Sequence, residues 1–120
     1  MDEKLKTKIK DLADDSKIME GEFERELFSS DAGEVPFAKN LFDATPELVI
    51  QPEKVEVIKR ILKFASKEKV AVFLRGSASS GLGGVVPTVK GIVLDLSLLN
   101  NIIEFNGEKK TIKVQSGIRW

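Results

Sequence analysis

The stretch Arg75-Gly76-Ser77-Ala78-Ser79-Ser80-Gly81-Leu82-Gly83-Gly84 packs four glycines, three serines and one alanine into ten positions. Small residues let a backbone approach a ligand closely, and successive N–H groups in such a loop form a nest that holds an anion. A diphosphate suits a nest of this kind, because several amide dipoles share the charge and no lysine is required. A glycine-rich turn that merely reverses the chain has the same composition, so pattern alone leaves both readings open. Two other phosphate-binding patterns fail. Gly76 and Gly81 have the separation of a nucleoside-triphosphate loop, but Leu82-Gly83 stands where Lys-Ser/Thr should follow. A dinucleotide fingerprint built on Gly81 and Gly83 needs a third glycine where Val86 stands, and it should open a helix rather than lead to a strand.

Other chemistry is sparse. The absence of cysteine excludes disulfides and thiolate metal sites. The absence of histidine removes the commonest metal ligand and the one side chain that ordinarily titrates near neutrality. No catalytic residue and no metal ligand is therefore assigned. Nineteen basic and nineteen acidic side chains cancel, and a pI near 6.3 argues against a nucleic-acid or anionic-membrane binder. No apolar run is long enough to span a bilayer, and the charged start Met1-Asp2-Glu3-Lys4 lacks the apolar core of a signal peptide. The cytoplasm is the default location.

The loop needs elements on either side to position it. Val70 to Leu74 is a nearly continuous apolar run, which predicts a strand covered on both faces. Before it, Val55, Ile58, Ile61, Leu62 and Ala65 share one helical face, with Pro52 and acidic Glu53 and Glu56 at the start; the helix is predicted over 53–67. Leu48-Val49-Ile50, bracketed by Pro46 and Pro52, gives a strand over 47–50. Strand, helix and strand make a βαβ unit with its two strands parallel. Further strands are predicted at 92–96, 102–105 and 110–115, the last two joined by the short-hairpin signal Asn106-Gly107. Phe28 to Pro36 reads as an irregular segment rich in turn residues. Residues 1–27 read as an N-terminal helical arm: Leu5, Ile9, Leu12 and Ala13 form a stripe that Ile18 and Met19 extend, Gly21 stops it, and a short helical turn covers Glu22 to Leu27.

The order "PELVIQP … EVIKRILKFA … VAVFLRGSASSGLGGVVP … GIVLDLSLLNNI … KVQSGIRW" resembles the start of the FAD-binding domain of the vanillyl-alcohol oxidase / p-cresol methylhydroxylase type. Within that family it is most similar to glycolate oxidase subunits and FAD-linked D-lactate dehydrogenases. The features are proline at both ends of the first strand, an Arg-Gly-x-Gly-Thr-Ser-like loop followed by Gly-Gly, a strand ending Leu-Asp-Leu-Ser, and a later Val-Gln-x-Gly-x-x-Trp. The resemblance implies an α/β (α+β) fold, the first lobe of such a domain over residues 28–120, incomplete as it stands. It implies that Gly76, Ser77, Ala78, Ser79 and Ser80 hold the FAD pyrophosphate, with Gly83 and Gly84 as the paired glycines beyond. Arg75 matches the usual arginine, although a strand-end charge paired with a local carboxylate explains it as well. Ala78 replaces a common glycine, so a positive φ there would carry a cost, and Gly81 stands where a larger residue often sits.

The same resemblance implies a non-covalent FAD that needs a second lobe for tight binding, and a protein that oxidises a 2-hydroxy acid such as glycolate or D-lactate. The expected partners are FAD and the remainder of the flavoenzyme or a partner subunit. The chain is then a piece of a larger flavoenzyme or a shortened product, inactive alone and prone to self-association through an uncovered apolar face. The competing reading is a non-catalytic diphosphate-binding or assembly module that docks onto a partner carrying the missing lobe.

Overall fold

A computed structural model of the chain describes residues 1–33 and 45–119. Glu34 to Pro36 of the predicted irregular segment, and Trp120 of the carboxy-terminal motif, lie outside the described residues.

Helix α1 (Glu3–Leu12) begins at Asp2, whose carboxylate accepts the Lys4 N–H, and presents Ile9 to the interior. Strand β1 (Lys17–Met19) follows, then the short helix α2 (Glu22–Glu26). Strand β2 (Leu48–Gln51), helix α3 (Val55–Glu68) and strand β3 (Ala71–Arg75) form the expected strand–helix–strand unit. Strands β4 (Gly91–Asp95), β5 (Ile102–Asn106) and β6 (Thr111–Val114) complete the described elements.

The main sheet runs β1-β2-β4-β3. β2 and β3 both pair with β4 in parallel, so the strands of the unit are parallel but leave a place between them that β4 fills. Side chains alternate across the sheet with period two. Leu48, Ile50, Ile92 and Leu94 meet Ile9 and Ala13 of the α1 segment and Val57 and Ile61 of α3 in one core cluster. Val49, Val93 and Met19 gather in a second cluster, against which Phe28 and Phe73 pack. Arg60 of α3 reaches the Leu12 carbonyl (3.4 Å) and the Asp14 carboxylate (3.3 Å), which ties the two helices together.

Four local expectations are corrected. Ile18 and Met19 do not extend α1; they belong to β1, antiparallel to β2, with Ile18 packed on the first cluster and Met19 in the second. That is the period of a strand, and a two-residue apolar pair could not distinguish it from a helix end. Gly21 is not a stop for α1, which ends before Asp14 turns to φ +57°; Gly21 caps the start of α2. β3 is not covered on both faces. It lies at the sheet edge with Leu74 half-exposed, and the fully buried strand is the central β4. The hairpin closes through residues 107–110, with Asn106 opposite Thr111, rather than through a two-residue turn. The Asn106 side chain accepts the Lys109 N–H, and Lys110 supplies the positive φ.

β5 and β6 form a sheet of their own, anchored where the Gln115 Oε1 accepts both the backbone N–H and the side-chain amide of Asn101. Ile102, Ile103, Phe105 and Ile112 of this hairpin remain exposed. Elsewhere, an open groove of about 610 Å³ lies between α1 and α3, lined by Lys4, Leu5, Lys8, Phe64 and Glu68 among others. Among the described residues no helix is long and apolar enough to cross a membrane.

The contrast between core and hairpin is testable by urea unfolding. Ile92→Ala empties a fully buried site and is expected to cost about 2–5 kcal/mol. Ile103→Ala, on the exposed hairpin, should cost no more than about 0.5 kcal/mol. Equal losses would show that the hairpin is buried against the chain in a way this fold lacks.

Candidate functional site

The carboxyl ends of the parallel strands β2, β3 and β4 share one edge of the sheet, the place where open α/β sheets usually receive ligands. A polar layer runs along it. Gln51, at the end of β2, donates to the Asp95 Oδ2 at the end of β4 (2.7 Å), and the Asp95 Oδ1 accepts the Ser97 N–H (3.0 Å). Arg75, at the end of β3, stands in register with Asp95. The Leu96 N–H donates to the Arg75 carbonyl (2.8 Å), so the chain leaves β3 from a fixed point.

From that point the glycine-rich loop turns against residues 28–33. The Ala32 N–H donates to the Ala78 carbonyl (2.9 Å). One carboxylate oxygen of Asp31 accepts the Gly33 N–H (3.0 Å) and the other accepts the Gly83 N–H (2.7 Å). Gly33 lies so close to Gly81 that a Cβ on it would fall 2.1 Å from the Gly81 carbonyl oxygen. Two glycines are needed here because two backbones touch. Ala78 takes φ +55°, which costs a non-glycine residue about 1–2 kcal/mol. Its burial and its carbonyl bond to Ala32 work against that cost.

Arg75 is half-buried, its guanidinium 4.8 Å from the centre of the Phe28 ring, and its Nη1 donates to the Ser30 carbonyl (3.1 Å). Burial pulls its pKa below the ordinary arginine value, while the negative charges of Asp95 and Asp31 work against that pull. The Arg75 Nε is buried with no hydrogen-bond partner among the described residues. Its hydrogen bond goes to a backbone carbonyl rather than to a carboxylate, and one donor is left unused.

The structure brings Gly76, Ser77, Ala78, Ser79, Ser80, Gly83 and Gly84 together in this single loop. Ser77, Ser79 and Ser80 are exposed, and the Ser77 and Ser79 hydroxyls lie 3.1 Å apart. Among the described residues, the backbone N–H groups of residues 76–82 have no acceptor within the protein. A Cβ added at Gly76, Gly83 or Gly84 would meet no atom of the described residues within 4 Å. Donors unpaired among the described residues and beside open space suit an anionic group, and a solvent-exposed turn whose amides are met by water leaves the same pattern. Among the described residues no cluster of carboxylates could hold a metal ion.

Sequence reasoning missed the other wall of the site. Phe28 to Gly33 read only as a connection, yet Phe28 and the Ser30 carbonyl hold Arg75, and Asp31 and Ala32 hold the loop. The spacing Asp31-Ala32-Gly33 did signal a local turn. Nothing in it signalled a partner as distant in sequence as Gly83.

Gly33→Ala forces a methyl group into the Gly81 backbone and should lower stability by about 1–3 kcal/mol in urea unfolding. Gly76→Ala enters open space and should stay within about 1 kcal/mol of the original. The reverse order would mean that the two segments are not in contact.

The FAD binding domain family matches residues 46–120. The glycolate oxidase subunit GlcD of Bacillus subtilis is 36% identical over 95 residues, which cover 74% of this chain and 20% of that protein. A D-lactate dehydrogenase of Archaeoglobus fulgidus is 37% identical over 71 residues, covering 51% of this chain and 16% of that one. The chain therefore spans a fifth or less of these relatives. Among solved structures, p-cresol methylhydroxylase with substrate bound superposes at TM-score 0.72 with 19% identity, over 97% of this chain and 22% of that one. An alkyldihydroxyacetonephosphate synthase superposes at 0.81 with 16% identity, over 98% and 23%. At such identities these two show the fold alone.

Proposed function

The chain belongs to the FAD binding domain family, whose cofactor is FAD, and from that premise we propose that loop 75–84 cradles the FAD diphosphate in an enzyme that oxidises a 2-hydroxy acid such as glycolate or D-lactate. The observation that carries the proposal is the set of backbone N–H groups at residues 76–82 that find no acceptor among the described residues, beside space that a Cβ at Gly76 would enter freely. In this reading the amides of Gly76 to Leu82 and the hydroxyls of Ser77, Ser79 and Ser80 bind the phosphate oxygens. Gly83 and Gly84 close the loop without side chains in the way, and Arg75 adds a positive charge from beneath. FAD, when bound, supplies the acceptor for the hydride that leaves the hydroxy acid. These residues bind and orient; none is placed as the base that takes the substrate's proton.

Residues 28–120 then act as the N-terminal lobe of the FAD-binding domain, with 1–27 as an arm whose strand joins the same sheet. The flavin is held without a covalent link in this part of the protein, because the sequence has no histidine or cysteine to anchor it. The lobe works with the remainder of the flavoenzyme or with a partner subunit, in the cytoplasm. The exposed apolar hairpin, Ile102, Ile103, Phe105 and Ile112, favours a second reading in which the chain is an assembly or diphosphate-binding module that docks onto a partner carrying the other lobe. The same face would drive self-association of the chain alone.

In the intact protein, Gly76→Val should lose FAD with an unchanged far-ultraviolet circular dichroism spectrum, because the added side chain occupies only the ligand's space. Stoichiometric flavin in that variant would refute the cradle. Ser80→Ala should be milder, at about 0.5–1.5 kcal/mol for one neutral hydrogen bond. The 120-residue chain alone should bind FAD weakly and show no activity. One lobe must oppose the several kcal/mol of immobilisation without the apolar burial that the isoalloxazine needs. Flavin fluorescence titration checks this: sub-micromolar binding, or flavin reduction by glycolate or D-lactate, would show that no second lobe is required.

A further inference from the structure

We propose that Asp31 is a positioning residue for the FAD diphosphate loop, a carboxylate that pins the far end of the loop to residues 31–33 without touching the cofactor. The proposal rests on the cradle reading above. Asp31 lies outside the residues that composition or motif would select, and its chemistry looks wrong for the task, since a carboxylate repels a diphosphate. Its contacts explain its presence. The Oδ2 accepts the Gly83 N–H at 2.7 Å and the Oδ1 accepts the Gly33 N–H at 3.0 Å, so the Asp31 side chain joins its own turn to a backbone 52 residues further along the sequence.

The loop cannot hold itself in place. Its serines and glycines fill little of the interior, and its N–H groups from 76 to 82 find no acceptor among the described residues. At its near end it is fixed by β3 and by the Leu96 bond to the Arg75 carbonyl. In the middle, the Ala32–Ala78 bond and the Gly33–Gly81 approach hold it. Toward its far end, Asp31 provides the charged hydrogen bond, which is stronger than a neutral one. Arg75, bonded to the Ser30 carbonyl next to Asp31, places a positive charge nearby that balances the carboxylate. By taking the Gly83 amide, Asp31 also removes that donor from the set offered to the cofactor. It leaves residues 76–82 as the amides that face the phosphates.

A loop released at this end would present its amides correctly for only part of the time, and apparent affinity falls in proportion to that fraction. The test is equilibrium dialysis of the 120-residue chain against FAD, comparing the wild-type chain with Asp31→Asn and Asp31→Ala, with thermal midpoints recorded for each. If Asp31 acted only as a charge, both variants would bind the diphosphate more tightly. If it were only a piece of the fold, the midpoint would drop and affinity would follow unfolding. The pin predicts that Kd rises about tenfold in Asp31→Ala and less in Asp31→Asn, which keeps one acceptor oxygen, while the folded fraction is unchanged. Equal or tighter binding in both variants overturns the proposal and leaves the cradle standing. If the wild-type chain takes up no FAD at millimolar concentration, the same comparison is made in the intact protein, where stoichiometric flavin in Gly76→Val would overturn the cradle and, with it, the pin. A direct measurement stands beside these should the variants fail to fold: the Gly83 amide of the wild-type chain must exchange with deuterium far more slowly than those of Ser77 and Ser79. Equally fast exchange at the three positions would mean that Asp31 does not hold Gly83.

Discussion

Residues 76–82 carry a run of backbone N–H groups with no acceptor among the described residues, and what holds that backbone in place organises the fold around it. Amides of this kind lose little while water solvates them, but they fix a ligand only if the backbone is held before the ligand arrives. A glycine- and serine-rich segment has no side chains with which to hold itself. The support comes from outside: the sheet fixes where the loop begins, and residues 28–33 fix its middle and far end.

The sheet does its part through the central strand. β4 is buried along its whole length and receives β2 on one side and β3 on the other, so the carboxyl ends of three parallel strands finish on one edge. Gln51, Asp95 and Arg75 sit at those ends, and the hydrogen bond from Gln51 to Asp95 satisfies a carboxylate that is only 5% exposed. Helices α1 and α3 both meet the face that carries Leu48, Ile50, Ile92 and Leu94. The opposite face carries Met19, Val49, Val93 and Phe73 from the four strands, and Phe28 packs on it. Phe28 thereby does two things, packing on the sheet and carrying the guanidinium of Arg75.

Much of this was legible in the sequence. The helix over 53–67 and its flanking strands came through because a long amphipathic stripe and prolines at strand ends are local signals. The loop was legible because its composition is extreme. What failed was whatever depended on neighbours distant in sequence. Val70 to Leu74 looked doubly covered, yet whether a strand is central or at the edge depends on where β4 inserts. Ile18 and Met19 looked helical, and only pairing with β2 makes them a strand. Asp31 was invisible for the same reason, since its two hydrogen bonds include one to a residue on the far side of the βαβ unit. The possible strain at Ala78 was legible, and the left-handed φ is there. The contact that stabilises it was not.

The central claim is that the amides of residues 76–82, which find no acceptor among the described residues, receive the diphosphate. The most direct measurement is the amide nitrogen–proton correlation spectrum of the 120-residue chain as FAD is added. The account predicts that the resonances moving furthest belong to residues 76–82, while those of α1, α3 and the β5–β6 hairpin stay in place. Shifts centred on the groove between α1 and α3, or on the exposed hairpin, with the loop resonances unmoved, would contradict it.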